Sequence, residues 1–219
     1  ENMLEYEIKQ IREKAKEELQ QRNAGNFKQW VEEFYQEFPE DIRDEMRPVL
    51  ASFGEAISEE AMKEIDVDDI DGLDNFIDEY TEAMAATHVG YSKSQLDALV
   101  DEALEENKDT YEVIDERLNE WEEKRADKIA VRESVKEAGA VSLFTYKAGG
   151  VVKKRWYTVG ESCPFCQKLD GKVVGIEKNF INAGDSIEVE EKDEALTVSS
   201  NKGHPPAHSA CDCMIVAEQ

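Results

Sequence analysis

With 219 residues the chain is long enough to bury a core, as one large domain or two smaller ones. Its 51 acidic side chains outnumber 26 basic ones, and the net charge of −25 argues against sequence-independent binding to a phosphate backbone. No apolar run approaches the roughly 20 residues needed to cross a bilayer, and no signal peptide is visible. The high charged fraction, 35%, implies an elongated or helical molecule with much solvated surface. A chain that begins at Glu1 without Met reads as a processed product or a fragment of something longer.

From residue 1 to about 145 the apolar residues recur at helical spacing. Leu4, Ile8, Ile11, Ala15 and Leu19 form the face of a first helix, which Asn23-Ala24-Gly25-Asn26 is expected to end. Phe27, Trp30, Val31 and Phe34 follow as an aromatic stripe on a short second helix, with Phe38-Pro39 as its break. Ile42, Met46, Val49, Phe53 and Ile57 make a third face, kinked or broken at Pro48. An acidic linker, Asp66 to Asp74, leads to Leu73, Phe76, Ile77, Tyr80 and Met84, and His88-Val89-Gly90-Tyr91 reads as another break. Leu96, Leu99, Val100, Ala103 and Leu104 then follow, and Ile114 to Ala138 reads as one long helix or two abutting ones. His88 reads as a surface or satisfied residue, and all these stripes as core packing.

The character changes at Gly149-Gly150. Val151 to Val159 is rich in β-branched and aromatic residues and predicts a strand; Lys172–Ile176, Ser186–Val189 and Cys211–Val216 predict shorter ones. The rest of 177–203 is polar and poorly patterned. Lys147, Lys153, Lys154, Arg155, Lys168 and Lys172 read as a solvated strand edge, where lysine discourages unwanted pairing. Arg132-Glu133 and the acidic run Glu188 to Glu194 read as surface charge. The expected class is α+β, a helical N-terminal region followed by a small β-rich C-terminal one, with an acidic helical domain over 1–120 and a second domain over 121–219 that carries the cysteines.

The chemistry concentrates in the cysteines. Cys163-Pro-Phe-Cys166 places two thiols where one turn can aim both at a single ion, and His208-Ser-Ala-Cys211-Asp-Cys213 supplies three further donors. Zn²⁺ takes four tetrahedral ligands and accepts thiolate and imidazole together. Cys163, Cys166 and His208 with one or both of Cys211 and Cys213 are the expected set, and His204 is a lesser candidate. A closed site has no open position for substrate, and Asp170 and Asp212, the nearest acids, sit in no catalytic motif; a structural zinc and no enzymatic activity are expected. Two other readings use the same cysteines. A Cys-Pro-Phe-Cys dithiol resembles that of glutaredoxin-like proteins, but no βαβ pattern follows it. Two disulfides would suit an extracellular protein, whereas metal-site spacing without a signal peptide favours a reducing, intracellular setting.

Four segments carry a wider resemblance. Arg125-Ala126 with Ile129-Ala130 and Glu133 lies on a helix, and Lys154-Arg155-Trp156 on a strand. Cys163 to Gly171 reads Cys-x-x-Cys-x-x-Leu-Asp-Gly, and Pro205-Pro206 precede His208, Cys211 and Cys213. In order, spacing and residue type these resemble the phage head-morphogenesis proteins typified by the minor head protein F of phage Mu, over roughly residues 120–217. Arg132 stands where that family usually has Thr, and Asp212 where it usually has Arg. The resemblance implies a minor capsid protein acting near the portal, with portal protein or major capsid protein as partner. It implies assembly in the host cytoplasm and a final place in the virion. The alternative from another class is a zinc-stabilised regulatory or nucleic-acid-associated module, which would need a basic surface.

Overall fold

The computed structural model describes residues 2–160 and 162–218. The chain is 63% helical with a small antiparallel sheet region near its C-terminus, the α+β arrangement expected.

Helix α1 (Met3–Leu19) starts from a capping box, in which Asn2 accepts the Glu5 N–H and Glu5 accepts that of Asn2. Its buried stripe is Ile8, Ile11, Ala15 and Leu19. The turn that follows takes its positive φ at Arg22 (62°) rather than at Asn23, and Ala24 and Gly25 already belong to α2.

Helix α2 (Ala24–Ile65) runs 42 residues through both Pro39 and Pro48, and α3 (Leu73–Glu105) runs straight through His88 to Tyr91. Neither helix ends at any of the three places where a break is expected. An interior proline costs about 3 kcal/mol and a glycine about 1, but Phe38 and Ile42 flank the first site and Leu50 follows the second, all buried. Met84, Ala85 and Leu96 do the same around the third, so packing outweighs the local cost. Asp109 accepts the N–H groups of Tyr111 and Glu112 to open α4 (Thr110–Ala148), a single helix of 39 residues.

The residues group into two compact units, and these do not follow the expected division at 120. One unit is Glu1–Val49 with Asp78–Lys128; the other is Leu50–Ile77 with Ile129–Gln219. The first is all helix. Phe27, Val31, Tyr35, Phe38 and Ile42 join the α1 stripe there with Leu96, Val100, Ile114 and Leu118. At its centre lies a polar group: Glu7 accepts the Tyr35 hydroxyl (2.7 Å), faces His88 Nε2 (2.9 Å) and pairs with Arg125 (3.3 Å). Arg125 also reaches Ser92 and stacks 3.8 Å over Trp121.

The second unit holds the strands. β1 (Lys153–Tyr157) lies between β2 (Val173–Gly175) and β5 (Met214–Glu218), antiparallel to both. Between β1 and β2 comes α5 (Pro164–Leu169), and β3 (Ser186–Ile187) pairs with β4 (Leu196–Thr197) inside the polar excursion. The lysine-rich strand is therefore central, not an edge. Its alternation turns Lys153, Arg155 and Tyr157 outward and buries Lys154 and Trp156. Lys154 donates to the Ile176 carbonyl (2.8 Å), and burial pushes its pKa down to about 8. The core gathers Trp156, Leu169, Phe180, Ile187, Val198 and Ile215 with Ala61 and Tyr146, and three cysteines are part of it.

Candidate metal centre

Cys163 occupies the N-cap of α5 with extended backbone, and Pro164 sets the first helical φ. Cys166 is one turn on, so a single helical turn carries both thiols. The rest of the motif is explained by what closes that turn. Leu169 is buried in the core, and the Asp170 carboxylate accepts the Thr158 N–H (2.9 Å), which holds its pKa below the usual range. Gly171 has φ +71° and gives its N–H to the Trp156 carbonyl (2.9 Å). Only glycine adopts that backbone without strain, so Leu-Asp-Gly is the hinge that lays α5 against β1.

The second segment arrives from the other side. His208 gives its Nδ1–H to the Ser209 carbonyl (2.6 Å), which fixes the tautomer and leaves the Nε2 lone pair for another partner. Nε2 lies 3.1 Å from Cys163 Sγ and 3.2 Å from Cys166 Sγ. Ala210 turns the chain with φ +58°, after which Cys211 and Cys213 both point inward. Cys166 Sγ is 3.7 Å from Cys211 Sγ.

Two overlapping triads result: Cys163, Cys166 and His208, and Cys166, Cys211 and Cys213. Within each, the donor atoms lie within 4.8 Å of one another. All five expected residues come together, with Cys166 common to both triads. His204 does not join them. Its Nδ1–H donates to the Pro205 carbonyl (2.6 Å), its ring lies against Gly139 of α4, and burial lowers its pKa to about 4.

The sulfurs share protons unequally. Cys211 accepts S–H groups from Cys166 and Cys213 and backbone N–H groups from Cys213 and Ala207, which hold it toward thiolate. Cys166, donating to Cys211, is pushed up correspondingly. No disulfide joins the four cysteines. Thiols packed with an imidazole whose lone pair faces them, and enclosed by apolar core, are a donor set for a soft divalent ion.

Three buried polar features of the strand-bearing unit escape sequence reasoning. The Trp156 indole N–H is buried without a nitrogen or oxygen partner and hydrogen-bonds the Cys213 sulfur. Glu133 is buried rather than superficial, ion-paired to Arg132 (3.0 Å) and Lys136 (3.3 Å). Glu137, one turn later, is buried with Oε1 unpartnered, and its pKa rises to about 8 through burial and the nearby Glu133. The spacing Glu133–Glu137 marks one helical face, but nothing in the sequence says that this face turns inward.

Comparison of the chain with family models, curated proteins and solved structures finds no match. No helix among the described residues is long and apolar enough to cross a membrane.

Proposed function

We propose that the chain is a phage minor head protein that acts in head morphogenesis near the portal, with a structural Zn²⁺ held by its cysteines and His208. One observation carries the zinc reading: five sulfur and nitrogen donors, from segments about 40 residues apart, converge within two overlapping triads. Sulfurs bound tetrahedrally at about 2.3 Å would lie about 3.8 Å apart, close to the 3.7 Å between Cys166 and Cys211. Cys163, Cys166 and His208 supply three ligands, and Cys211 or Cys213 completes the set. The ion's contribution is to tie α5 and the 208–213 segment to one point at the side of the core around Trp156.

The head-protein reading rests on the motif resemblance. The fold supports it because the motif residues have structural reasons to be there. Trp156 and Lys154 fill the core behind the cysteines, and Leu-Asp-Gly positions α5. An acidic helical surface suits a scaffolding partner better than it suits DNA. Protein purified without added zinc should carry about one zinc per chain, with thiols reacting only after chelation. It should also co-purify with portal or major capsid protein when both are co-expressed. Absence of metal with fast-reacting Cys163 and Cys166 would turn the site into a dithiol; failure to retain either head protein would sink the morphogenesis role.

A further inference from the structure

In the strand-bearing unit, an apolar groove of about 710 Å³ lies along the outer edge of β5. Phe53, Ile57 and Ala61 of α2 form one wall, Val135, Ala138 and Ser142 of α4 another, and Cys213 to Val216 the strand side. Both hydrogen-bonding groups of Trp156 are used toward the β2 side: its N–H goes to the Lys172 carbonyl and its carbonyl accepts from Gly171. Its register partner Ile215 therefore directs its own N–H and carbonyl away from β1, toward the groove. Side chains rather than another strand meet this edge. The Ala217 N–H donates to Glu64 Oε1 (2.8 Å), and the Ile215 carbonyl receives the Tyr146 hydroxyl at a long 3.5 Å. Glu64 Oε2 takes the same hydroxyl at 2.5 Å.

A strand edge that pairs with no other strand is a template for a further one, with main-chain bonds giving affinity and the groove selecting alternate side chains. The rim decides what kind of strand. Glu60, Glu64 and Asp212 line it against a single cation, Lys63, which is engaged by Glu60 (2.6 Å). A second copy of this chain would bring the same acidic rim and a net charge of −25 to the contact.

We infer that the β5 edge and its groove form a docking site for an extended segment of a partner protein, apolar or β-branched at alternate positions and flanked by Lys or Arg. The segment adds as a fourth strand beside β5 and takes over the Ala217 N–H from Glu64. The groove adjoins the cysteine cluster at Cys213, and the proposal does not depend on the head-protein reading.

Selection of random nine-residue peptides on the intact zinc-loaded chain tests it. Enriched peptides should carry β-branched centres and basic ends, and bind at least fivefold more weakly at 0.5 M than at 0.05 M salt. Binding should shift the Ile215 and Ala217 amide resonances. Glu60→Lys at the rim and Ser142→Trp in the groove should each weaken binding at least fivefold while leaving the zinc content unchanged. Enrichment of acidic or charge-indifferent peptides, no enrichment, or binding untouched by both variants overturns the proposal. So does a concentration-dependent dimer paired through β5.

Discussion

Glu7 and Glu137 are both buried carboxyls, and the fold treats them oppositely. Burial works against the charge of Glu7, but His88, Arg125 and Tyr35 more than offset it, and the pKa is lowered. Its stabilisation is present above about pH 4.5, the unfolded value, and is lost as pH falls through the lower folded value. Glu7→Ala would leave Arg125 buried without its anion. Denaturant unfolding should show a loss of about 3–5 kcal/mol, against under about 1 kcal/mol for Arg12→Ala, whose pairs with Asp115 and Glu122 face solvent. Glu137 keeps its proton to about pH 8 in the fold but only to 4.5 when unfolded. Stability should therefore decline as pH rises from 4.5 to 8 and level off above. Glu137→Met should remove that slope and gain roughly 1–3 kcal/mol at pH 7.5, with little change at pH 4; equal gains at both values would refute the titration.

Along the elements, the same substitution should have opposite signs at two helical glycines. A Cβ on Gly90 of α3 meets nothing within 4 Å, so Gly90→Ala should stabilise by up to about 1 kcal/mol. A Cβ on Gly139 of α4 would sit 2.7 Å from His204 Nδ1 and 2.9 Å from the Pro205 carbonyl. Gly139→Ala should cost about 1–3 kcal/mol and loosen the segment that delivers His208, which thermal unfolding and metal release would both register. Such contrasts show how far the sequence was legible. Periodicity revealed that 1–145 is helical, because a 3.6-residue stripe needs no knowledge of its partner. It misplaced the ends, because Pro39, Pro48 and Gly90 are local signals overridden by burial on either side. The five clustered cysteine and histidine donors were legible because ligand spacing is short-range within each segment. The central place of β1 and the burial of Lys154, Glu133 and Glu137 were not, since each depends on which element covers which face.

For the molecule as a whole, the decisive fact is that each unit is drawn from two separated stretches of chain. The fragment 121–219 holds all five residues of the candidate metal centre but lacks 50–77. That stretch supplies Ala61 to the core, Ser58 to the bond with Thr145 (3.0 Å), and Phe76 to its stack on Phe144 (4.7 Å). The fragment should bind zinc yet unfold without a cooperative thermal transition and expose apolar surface to a reporter dye. A sharp transition at the temperature of the intact chain would show that 50–77 is dispensable. The interleaving has a meaning for inheritance as well. A gene segment whose folding partners lie on both sides of another's cannot be handed on by one crossover. Exchange between lineages would have to carry both units as a single block, leaving variation to enter through surface positions and loops.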